Sequence, residues 1–181
     1  MTRKEYYMLL EKEVYTTKSK SFYRRLINRF CDLYLNPSHH AVYLIRKMQY
    51  TASQKGRLAH YRALWMQKRL LQKYGMHISP YCKIGEGFHL PHPLCIVIGT
   101  HVVIGSNCSV YQGVTLGGGR IGDVKKGNQP TIGNNVTIFT GAMILGRIIV
   151  DDDTIIAANS VVLKSTEGSG TYAGTPAKKI K

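Results

Sequence analysis

Aliphatic residues recur at every sixth position from residue 78 to residue 162. The period is interrupted twice, by two extra residues before Ile98 and by a longer insertion between Leu116 and Ile132. The repeated positions are Ile78, Ile84, Leu90, Ile98, Ile104, Val110, Leu116, Ile132, Ile138, Ile144, Val150, Ile156 and Val162. One aliphatic residue per hexapeptide, often with a small residue four positions later, predicts a short strand followed by a corner. Three such units close one triangular coil of a parallel β-helix.

The residues before this repeat have a helical pattern instead. Asn36-Pro37-Ser38 is a helix start signal, and Leu44, Ile45 and Met48 follow at helical spacing. A second helix is predicted from Arg57 to Lys73, ending at Gly75. Its apolar side is formed by Leu58, Tyr61, Leu64, Trp65 and Leu71.

These patterns predict an α+β chain in three parts. A basic helical region covers residues 1–75, and a β-helix covers residues 76–164 with an extruded loop at 119–131. Residues 165–181 follow as a C-terminal tail.

The repeat also predicts which residues share one face of the prism. Every third hexapeptide lies on the same side, which aligns the units that begin at Leu90, Val110, Ile138 and Ile156 if the long insertion is looped out. The third residues of these units, which form one column, are His92, Gln112, Thr140 and Ala158. The small and polar residues of this column leave a groove in which an extended thiol ester fits.

His92 is the candidate catalytic residue of this column. Transfer of an acyl group to a hydroxyl needs a base that takes the hydroxyl proton and an acid that returns it to the leaving thiolate, and one imidazole does both. The Gly117-Gly118-Gly119 run offers backbone N–H groups for the oxyanion. The competing interpretation of His92 is a surface histidine at a corner between two prolines.

The remaining ionisable and thiol groups favour structural roles. Cys31, Cys82, Cys95 and Cys108 form no metal-binding pair, and we interpret them as small apolar fillers. His89, His92 and His101 are residue types that bind metals, but His89 and His101 do not share the column of His92, and no metal is expected. The run Asp151-Asp152-Asp153 is interpreted as a solvated corner.

The formal charge of +15 is concentrated near the N-terminus. Residues 1–74 contain 16 Lys and Arg against four Asp and Glu, a net charge of +12. We interpret this region as a solvated helical face and an oligomer cap. The alternative is attraction to an anionic membrane surface or to a phosphate-bearing, lipid-linked sugar. A nucleic-acid-binding module is not expected, because no nucleic-acid-binding motif accompanies the charge.

The beginning of the sequence and its hydropathy predict a cytoplasmic location. The first residues, Met1-Thr2-Arg3-Lys4-Glu5, are polar where a signal peptide has its apolar stretch, and no apolar run is long enough to span a bilayer. The basic region allows a peripheral position at the inner membrane face.

Taken together, the motifs resemble the hexapeptide-repeat acyltransferases, and within them the serine acetyltransferase-like branch. The resemblance covers roughly residues 37–181. It rests on the segments Tyr74-Gly75-Met76-His77-Ile78-Ser79-Pro80, Ile84-Gly85-Glu86-Gly87, Leu90-Pro91-His92, Val110-Tyr111-Gln112-Gly113-Val114-Thr115-Leu116-Gly117-Gly118 and Ala173-Gly174-Thr175-Pro176-Ala177-Lys178.

The resemblance implies a left-handed β-helix that uses acetyl-CoA as co-substrate. It also implies a homotrimer with active sites between subunits, in which the extruded loop covers the acceptor. The residues expected along the coenzyme are Gln112, Gly118, Thr140, Ala158 and Lys178, the last meeting its phosphates.

Three positions depart from the serine acetyltransferase pattern. The family has an aspartate at the position of His77, another at Pro91, and an Arg-His pair at Asn128-Gln129. We expect His77, Asn128 and Gln129 to bind the acceptor, and His77 is one candidate for orienting His92. Loss of the charged groups indicates an uncharged acceptor, a sugar hydroxyl in polysaccharide biosynthesis.

Two kinds of alternative stay open. One is serine O-acetylation for cysteine biosynthesis, with Arg120, Lys125 or Lys126 of the loop supplying the missing positive charge. The other is a protein of another class, either a hexapeptide scaffold without chemistry or a nucleic-acid-binding protein.

Overall fold

A computed structural model of the chain describes residues 1–15 and 21–181. Its helices are α1 (Arg3–Glu13), α2 (Phe22–Tyr34), α3 (Pro37–Ala52), α4 (Arg57–Tyr74) and α5 (Asp123–Lys126). Its strands are β1 (His77–Ile78), β2 (Lys83–Ile84), β3 (Val97–Ile98), β4 (Val103–Ile104), β5 (Ser109–Val110), β6 (Thr115–Gly117), β7 (Thr131–Ile132), β8 (Thr137–Ile138), β9 (Met143–Leu145), β10 (Ile149–Val150), β11 (Thr154–Ile156), β12 (Val161–Val162), β13 (Gly170–Gly174) and β14 (Ala177–Lys179).

The strands form the three sides of a triangular prism. The first side contains β1, β3, β6, β9 and β12, the second β2, β4, β7 and β10, and the third β5, β8, β11, β13 and β14. All pairs are parallel except β13 with β14. The predicted fold class, a helical region followed by a left-handed β-helix of hexapeptide repeats, is confirmed.

The register of the third side follows the predicted alignment of hexapeptides. Val110 pairs with Ile138, and Ile138 pairs with Ile156. A bridge between His89 and Ser109 extends the same side to the coil that contains Leu90. The four residues predicted to align are all fully buried, so the six-residue period identifies the core directly.

Asparagine and aspartate form a ladder at one corner of the prism. Asn107, Asn135 and Asp153 have positive φ angles of 57°, 55° and 56°. Their side chains are hydrogen-bonded in series, with Asn107 Nδ2 donating to Asn135 Oδ1 and Asn135 Nδ2 donating to Asp153 Oδ1. These two residue types tolerate the left-handed conformation, and the ladder links three successive coils. Asp153 therefore has a structural role at its corner.

The predicted helix ends are observed, but the apolar side of α4 does not form its core face. Asn36 caps α3 by accepting from the backbone of His39, and Gly75 ends α4 with a φ of 64°. The buried residues of α4 are Ala63, Met66, Leu70 and Tyr74. The apolar side identified from the sequence, formed by Leu58, Tyr61, Leu64, Trp65 and Leu71, is exposed instead.

A buried ion pair attaches the helices to the open end of the prism. Arg46 on α3 is fully buried and forms a two-pronged contact with Glu13 of α1, at 2.7 Å for each N–O pair. The same guanidinium donates to the carbonyls of Ile84 and Gly85 in the first coil, at 2.8 and 2.5 Å. Glu13 in turn accepts the backbone N–H of Gly87 at 2.8 Å. One network thus joins α1, α3 and β2.

The C-terminal tail and the extruded loop contain structure that the repeat did not predict. β13 continues the third side, and β14 folds back on it as an antiparallel strand. The loop contains the short helix α5. The carboxylate of Asp123, the first residue of this helix, closes the loop by accepting hydrogen bonds from the backbone N–H groups of Gly119 and Arg120.

Replacing Arg46 with methionine is expected to destabilise the chain by about 3–5 kcal/mol, because the carboxylate of Glu13 then stays buried without its cation. The free energy of unfolding, measured by urea denaturation, tests this. Arg29→Met is the matched control, because Arg29 pairs with Glu11 on the surface and its loss is expected to cost less than about 1 kcal/mol. Equal losses for the two variants would contradict the role of the buried network.

Candidate active site

His92 stands on a bulge at the corner between the third and first sides. The two-residue insertion before Ile98 makes room for the turn Pro91-His92-Pro93-Leu94, in which the N–H of Leu94 donates to the carbonyl of His92 at 2.8 Å. Pro93 is buried while the side chain of His92 is exposed. The insertion therefore presents the imidazole to solvent.

The bulge shifts His92 relative to the predicted column. In later coils the carbonyls of Gln112 and Thr140 accept the N–H groups of Gly141 and Asn159, at 3.0 and 2.8 Å. In the first coil the equivalent bond runs from Gly113 to the carbonyl of Leu94, at 3.0 Å. Leu94, not His92, is thus in backbone register with Gln112 and Thr140. Because two residues are inserted, His92 projects beside the head of the column.

The N-terminus of α3 fixes the backbone of this corner. The hydroxyl of Ser38 donates to the carbonyl of Leu90 and lies 3.3 Å from that of Pro91. Ser38 is in the second position of α3, directly after Pro37, so the helix start holds the peptide units that precede His92. Sequence reasoning identified the helix start but missed this contact, because nothing in the repeat places α3 against the first coil.

A pocket of about 450 Å³ lies beside His92. It is lined by Asn36, Pro37, Ser38, Tyr74, Pro91, His92, Pro93 and Leu94. Among these described lining residues there is no carboxylate, ammonium or guanidinium group. Tyr74 contributes a phenol whose pKa is raised by burial and whose oxygen lies 2.7 Å from His40 Nδ1.

Two aromatic side chains continue from His92 along the third side. The rings of His92 and Tyr111 meet edge to face, with centroids 6.1 Å apart. The rings of Tyr111 and Phe139 are 4.9 Å apart. Both residues are half-buried and are second in their hexapeptides, so they lie next to the column that the third residues form. They form an apolar strip next to the predicted coenzyme groove.

Gln112, which lies in the predicted column, has an unsatisfied side-chain acceptor. Its side-chain Oε1 is buried and has no hydrogen-bond partner in the described part of the chain. A buried carbonyl oxygen without a donor is costly unless a ligand supplies one. Thr140 is half-buried and Ala158 is exposed further along the same corner. Lys178 is exposed on β14, the edge strand of the same side.

His77, Gly118 and Gln129 meet around a second cleft, of about 510 Å³. This cleft does not include His92 among its described lining residues. His77 is exposed on the outer surface of the first side, where it pairs with Val97. Gln129 is only 5% exposed, and its Oε1 accepts the N–H of His101 at 2.7 Å. Gln129 thus holds the end of the loop against the prism.

Asn128 and the glycine run have partners within the loop. Asn128 Nδ2 donates to Asp123 Oδ1 at 3.1 Å, and this bond is the main cause of a lowered pKa of Asp123. Asp123 Oδ2 also accepts a hydrogen bond from the N–H of Gly119. The sequence suggested this N–H as an oxyanion donor, but it is already used within the loop. A third cleft, of about 500 Å³, contains Asn128 together with Arg120 and Arg147.

The thiols and possible metal ligands lie outside the chemistry of these clefts. Cys82 and Cys108 fill the inward small-residue positions, as predicted, and burial raises the pKa of Cys82 to about 12. Cys95 is exposed and Cys31 half-buried. Within residues 1–15 and 21–181, no cluster of three or more His, Cys, Asp or Glu side chains is arranged to hold a metal ion.

Comparison with known proteins identifies the family. Residues 129–164 match the family model of the bacterial transferase hexapeptide with six repeats. A serine acetyltransferase of Helicobacter pylori is 37% identical over 153 residues, which cover 84% of this chain and 86% of the relative.

Solved structures agree with this match. The crystal structure of Neisseria gonorrhoeae serine acetyltransferase aligns with a TM-score of 0.78 and 30% identity, over 99% of this chain and 68% of that one. A serine acetyltransferase in complex with CoA aligns with a TM-score of 0.68 and 34% identity, over 78% and 56% of the two chains. With the exposed His92, the groove beside it and the matching fold, these similarities establish that the chain is an acyltransferase of the hexapeptide-repeat class and belongs to the serine acetyltransferase family.

Proposed function

We propose that the protein transfers an acetyl group from acetyl-CoA to a hydroxyl, with His92 as general base. The observation that carries this proposal is the exposed imidazole of His92, which the two-residue bulge projects beside a pocket of about 450 Å³ and beside the head of the predicted column. A base next to a binding groove is what hydroxyl acetylation requires, and a scaffold without chemistry has no use for either feature.

In the proposed reaction His92 transfers one proton from the acceptor hydroxyl to the leaving thiolate. A ring nitrogen of His92 takes the proton of the acceptor hydroxyl as its oxygen attacks the thioester carbonyl. When the tetrahedral intermediate collapses, the C–S bond breaks and the imidazolium returns the proton to the thiolate. The products are the acetyl ester and free coenzyme A. The role of Ser38 is to hold the Leu90–Pro91 backbone, so that the imidazole is correctly placed.

The groove fits the pantetheine arm of the coenzyme. Its amide N–H groups are donors of the type that Gln112 Oε1 lacks, and the small side chains at Thr140 and Ala158 leave backbone groups accessible. Lys178 lies on the edge strand of the same side and is proposed to meet coenzyme phosphates. Gly118 is proposed to contact the coenzyme from the second cleft, across a subunit interface.

A homotrimer is proposed because each chain carries the parts of the site on different faces. His92 borders one pocket, and His77, Gly118 and Gln129 border another. Packing of three prisms around a threefold axis brings the His92 corner of one subunit to the second cleft of its neighbour. His77 is then available to contact the acceptor or His92 of the adjacent subunit.

For the acceptor, the names of the relatives support L-serine better than a sugar. The H. pylori relative and the N. gonorrhoeae structure are both serine acetyltransferases, and they match most of this chain. The cleft that contains Arg120 and Arg147 offers positive charge for a carboxylate. Serine O-acetylation is accordingly one candidate, and it would supply cysteine biosynthesis.

The site residues support a neutral hydroxyl, such as that of a sugar in polysaccharide biosynthesis. The described lining of the His92 pocket contains no carboxylate for an ammonium group, and Pro91 occupies the position where the family has an aspartate. Gln129 and Asn128 replace the Arg-His pair with neutral amides that are already hydrogen-bonded. Because binding a zwitterion in such a pocket leaves its charges unpaired, we favour the neutral acceptor.

His92→Ala is expected to lower the rate of thiol release from acetyl-CoA in the presence of acceptor by about 10²–10⁴-fold, because the proton then has no carrier. Coenzyme A binding, measured by calorimetry, is expected to stay unchanged. His60→Ala is the control, because His60 lies on α4 and contacts Tyr81 away from the pocket. Substantial turnover by His92→Ala would contradict the assignment.

Sedimentation equilibrium is expected to give three times the 20.3 kDa chain mass at micromolar concentration. A trimer is expected because a protomer alone separates His92 from the second cleft. A monomer that is fully active at the same concentration would show that the site is complete in one chain.

With radiolabelled acetyl-CoA, neutral oligosaccharides are expected to accept label in a His92-dependent manner, and L-serine is expected not to exceed the hydrolysis rate. Pro91→Asp is the matched variant, since a restored carboxylate should raise serine turnover. Saturable formation of O-acetylserine by the unmodified protein would decide for the serine candidate. Either result leaves the assignment of acetyl transfer to His92 intact.

A further inference from the structure

Helix α2 exposes its apolar side chains to solvent. None of its 13 residues is buried. Its exposed large apolar side chains are Phe22, Tyr23, Leu26, Ile27, Phe30 and Tyr34. At 100° per residue these six side chains fall within an arc of about 140°, so they form one continuous surface, called here the α2 face.

The orientation of α2 is the reverse of that of an ordinary surface helix. Asn28, Cys31 and Asp32, which lie outside the arc, are half-buried against the protein. Asp32 lies 3.8 Å from His39 Nδ1 of α3. Arg29 pairs with Glu11 of α1 and lies over the ring of Tyr15, 5.0 Å from its centroid. These polar contacts and the half-buried Leu33 attach the helix to the protein, and the six side chains of the α2 face are left outward.

Basic residues border the α2 face on both edges. On the helical projection Arg24 lies beyond one edge, while Arg25 and Arg29 lie beyond the other. From Lys18 to Cys31 the sequence has five basic residues and no acidic one. The acidic residue of α2, Asp32, faces α3 rather than solvent.

We propose that the α2 face docks in the interface of a bilayer that contains anionic phospholipid. An apolar arc bordered by arginines matches a helix lying in the membrane plane, with its side chains among acyl chains and its guanidinium groups at the phosphates. A second copy of the chain fits this face less well, because two such helices would bring Arg24 and Arg25 of each copy together, whereas the exposed carboxylate of Glu11 is already paired with Arg29.

In this proposal α2 lies on the membrane surface and does not cross the bilayer. Among the described residues no helix is long and apolar enough to span a bilayer, and 13 residues reach only about 20 Å. α2 ends two residues before α3, whose Ser38 holds the backbone next to His92. Docking would thus place the catalytic corner near the membrane surface, whichever hydroxyl is acetylated.

Vesicle flotation of the full chain tests the proposal. The protein is expected to float with vesicles of phosphatidylcholine that contain about 30% phosphatidylglycerol, which gives a strongly anionic surface. It is not expected to float with vesicles of pure phosphatidylcholine. The double variant Ile27→Asp, Phe30→Asp is expected to abolish flotation. Leu58→Asp is the control, because Leu58 is an equally exposed apolar residue on α4. Arg24→Gln and Arg25→Gln are each expected to weaken binding about fivefold.

Circular dichroism and thiol release with a soluble acceptor verify that the variants fold and remain active. Three results would overturn the proposal: no flotation of the unmodified protein, flotation that is independent of lipid charge, or equal loss with Leu58→Asp. The α2 face would be assigned to a second copy if the unmodified protein fails to float and the double variant forms a smaller assembly in sedimentation.

Discussion

The buried contact between Arg46 and Glu13 is the constraint on which the arrangement of the protein depends. A β-helix is stabilised by stacking of its coils, and its first coil has no coil beneath it. Here the guanidinium of Arg46 satisfies two carbonyls of that coil, and Glu13 satisfies a backbone N–H on the same side. Since both charges are removed from water, each depends on the other, and α1 and α3 cannot move independently of the prism.

This attachment determines where His92, the proposed general base, lies. Because α3 is fixed to the first coil by Arg46, its N-terminus is held at the corner that follows Leu90, and Ser38 can bond the backbone there. The two-residue insertion then projects His92 outward instead of stacking it in the ladder. A regular hexapeptide at this position would place the imidazole in line with Gln112. Deviation from the repeat thus exposes the imidazole of His92, while the repeat aligns the residues of the predicted column.

The other polar residues proposed for the site lie in clefts separate from that of His92. His77 and Gln129 lie on the first side and Asn128 lies with Arg120, whereas the pocket of His92 is lined by uncharged groups apart from the histidine itself. The loop is closed internally by Asp123, which accepts hydrogen bonds from the backbone of Gly119 and the side chain of Asn128. The neutral lining of the His92 pocket and the similarity to serine acetyltransferases therefore favour different acceptors for the proposed acetyl transfer.

The sequence alone determined the β-helix, its core residues, the start of α3 and the start and end of α4, because a strict six-residue period and local capping signals depend on neighbouring residues. It also selected His92 and Gln112. Only the tertiary structure revealed the partners of Arg46, the displacement of His92 and the outward faces of α2 and α4. These depend on contacts between residues far apart in sequence, and an apolar stripe on a helix has the same spacing whether it faces a core, a partner or a membrane.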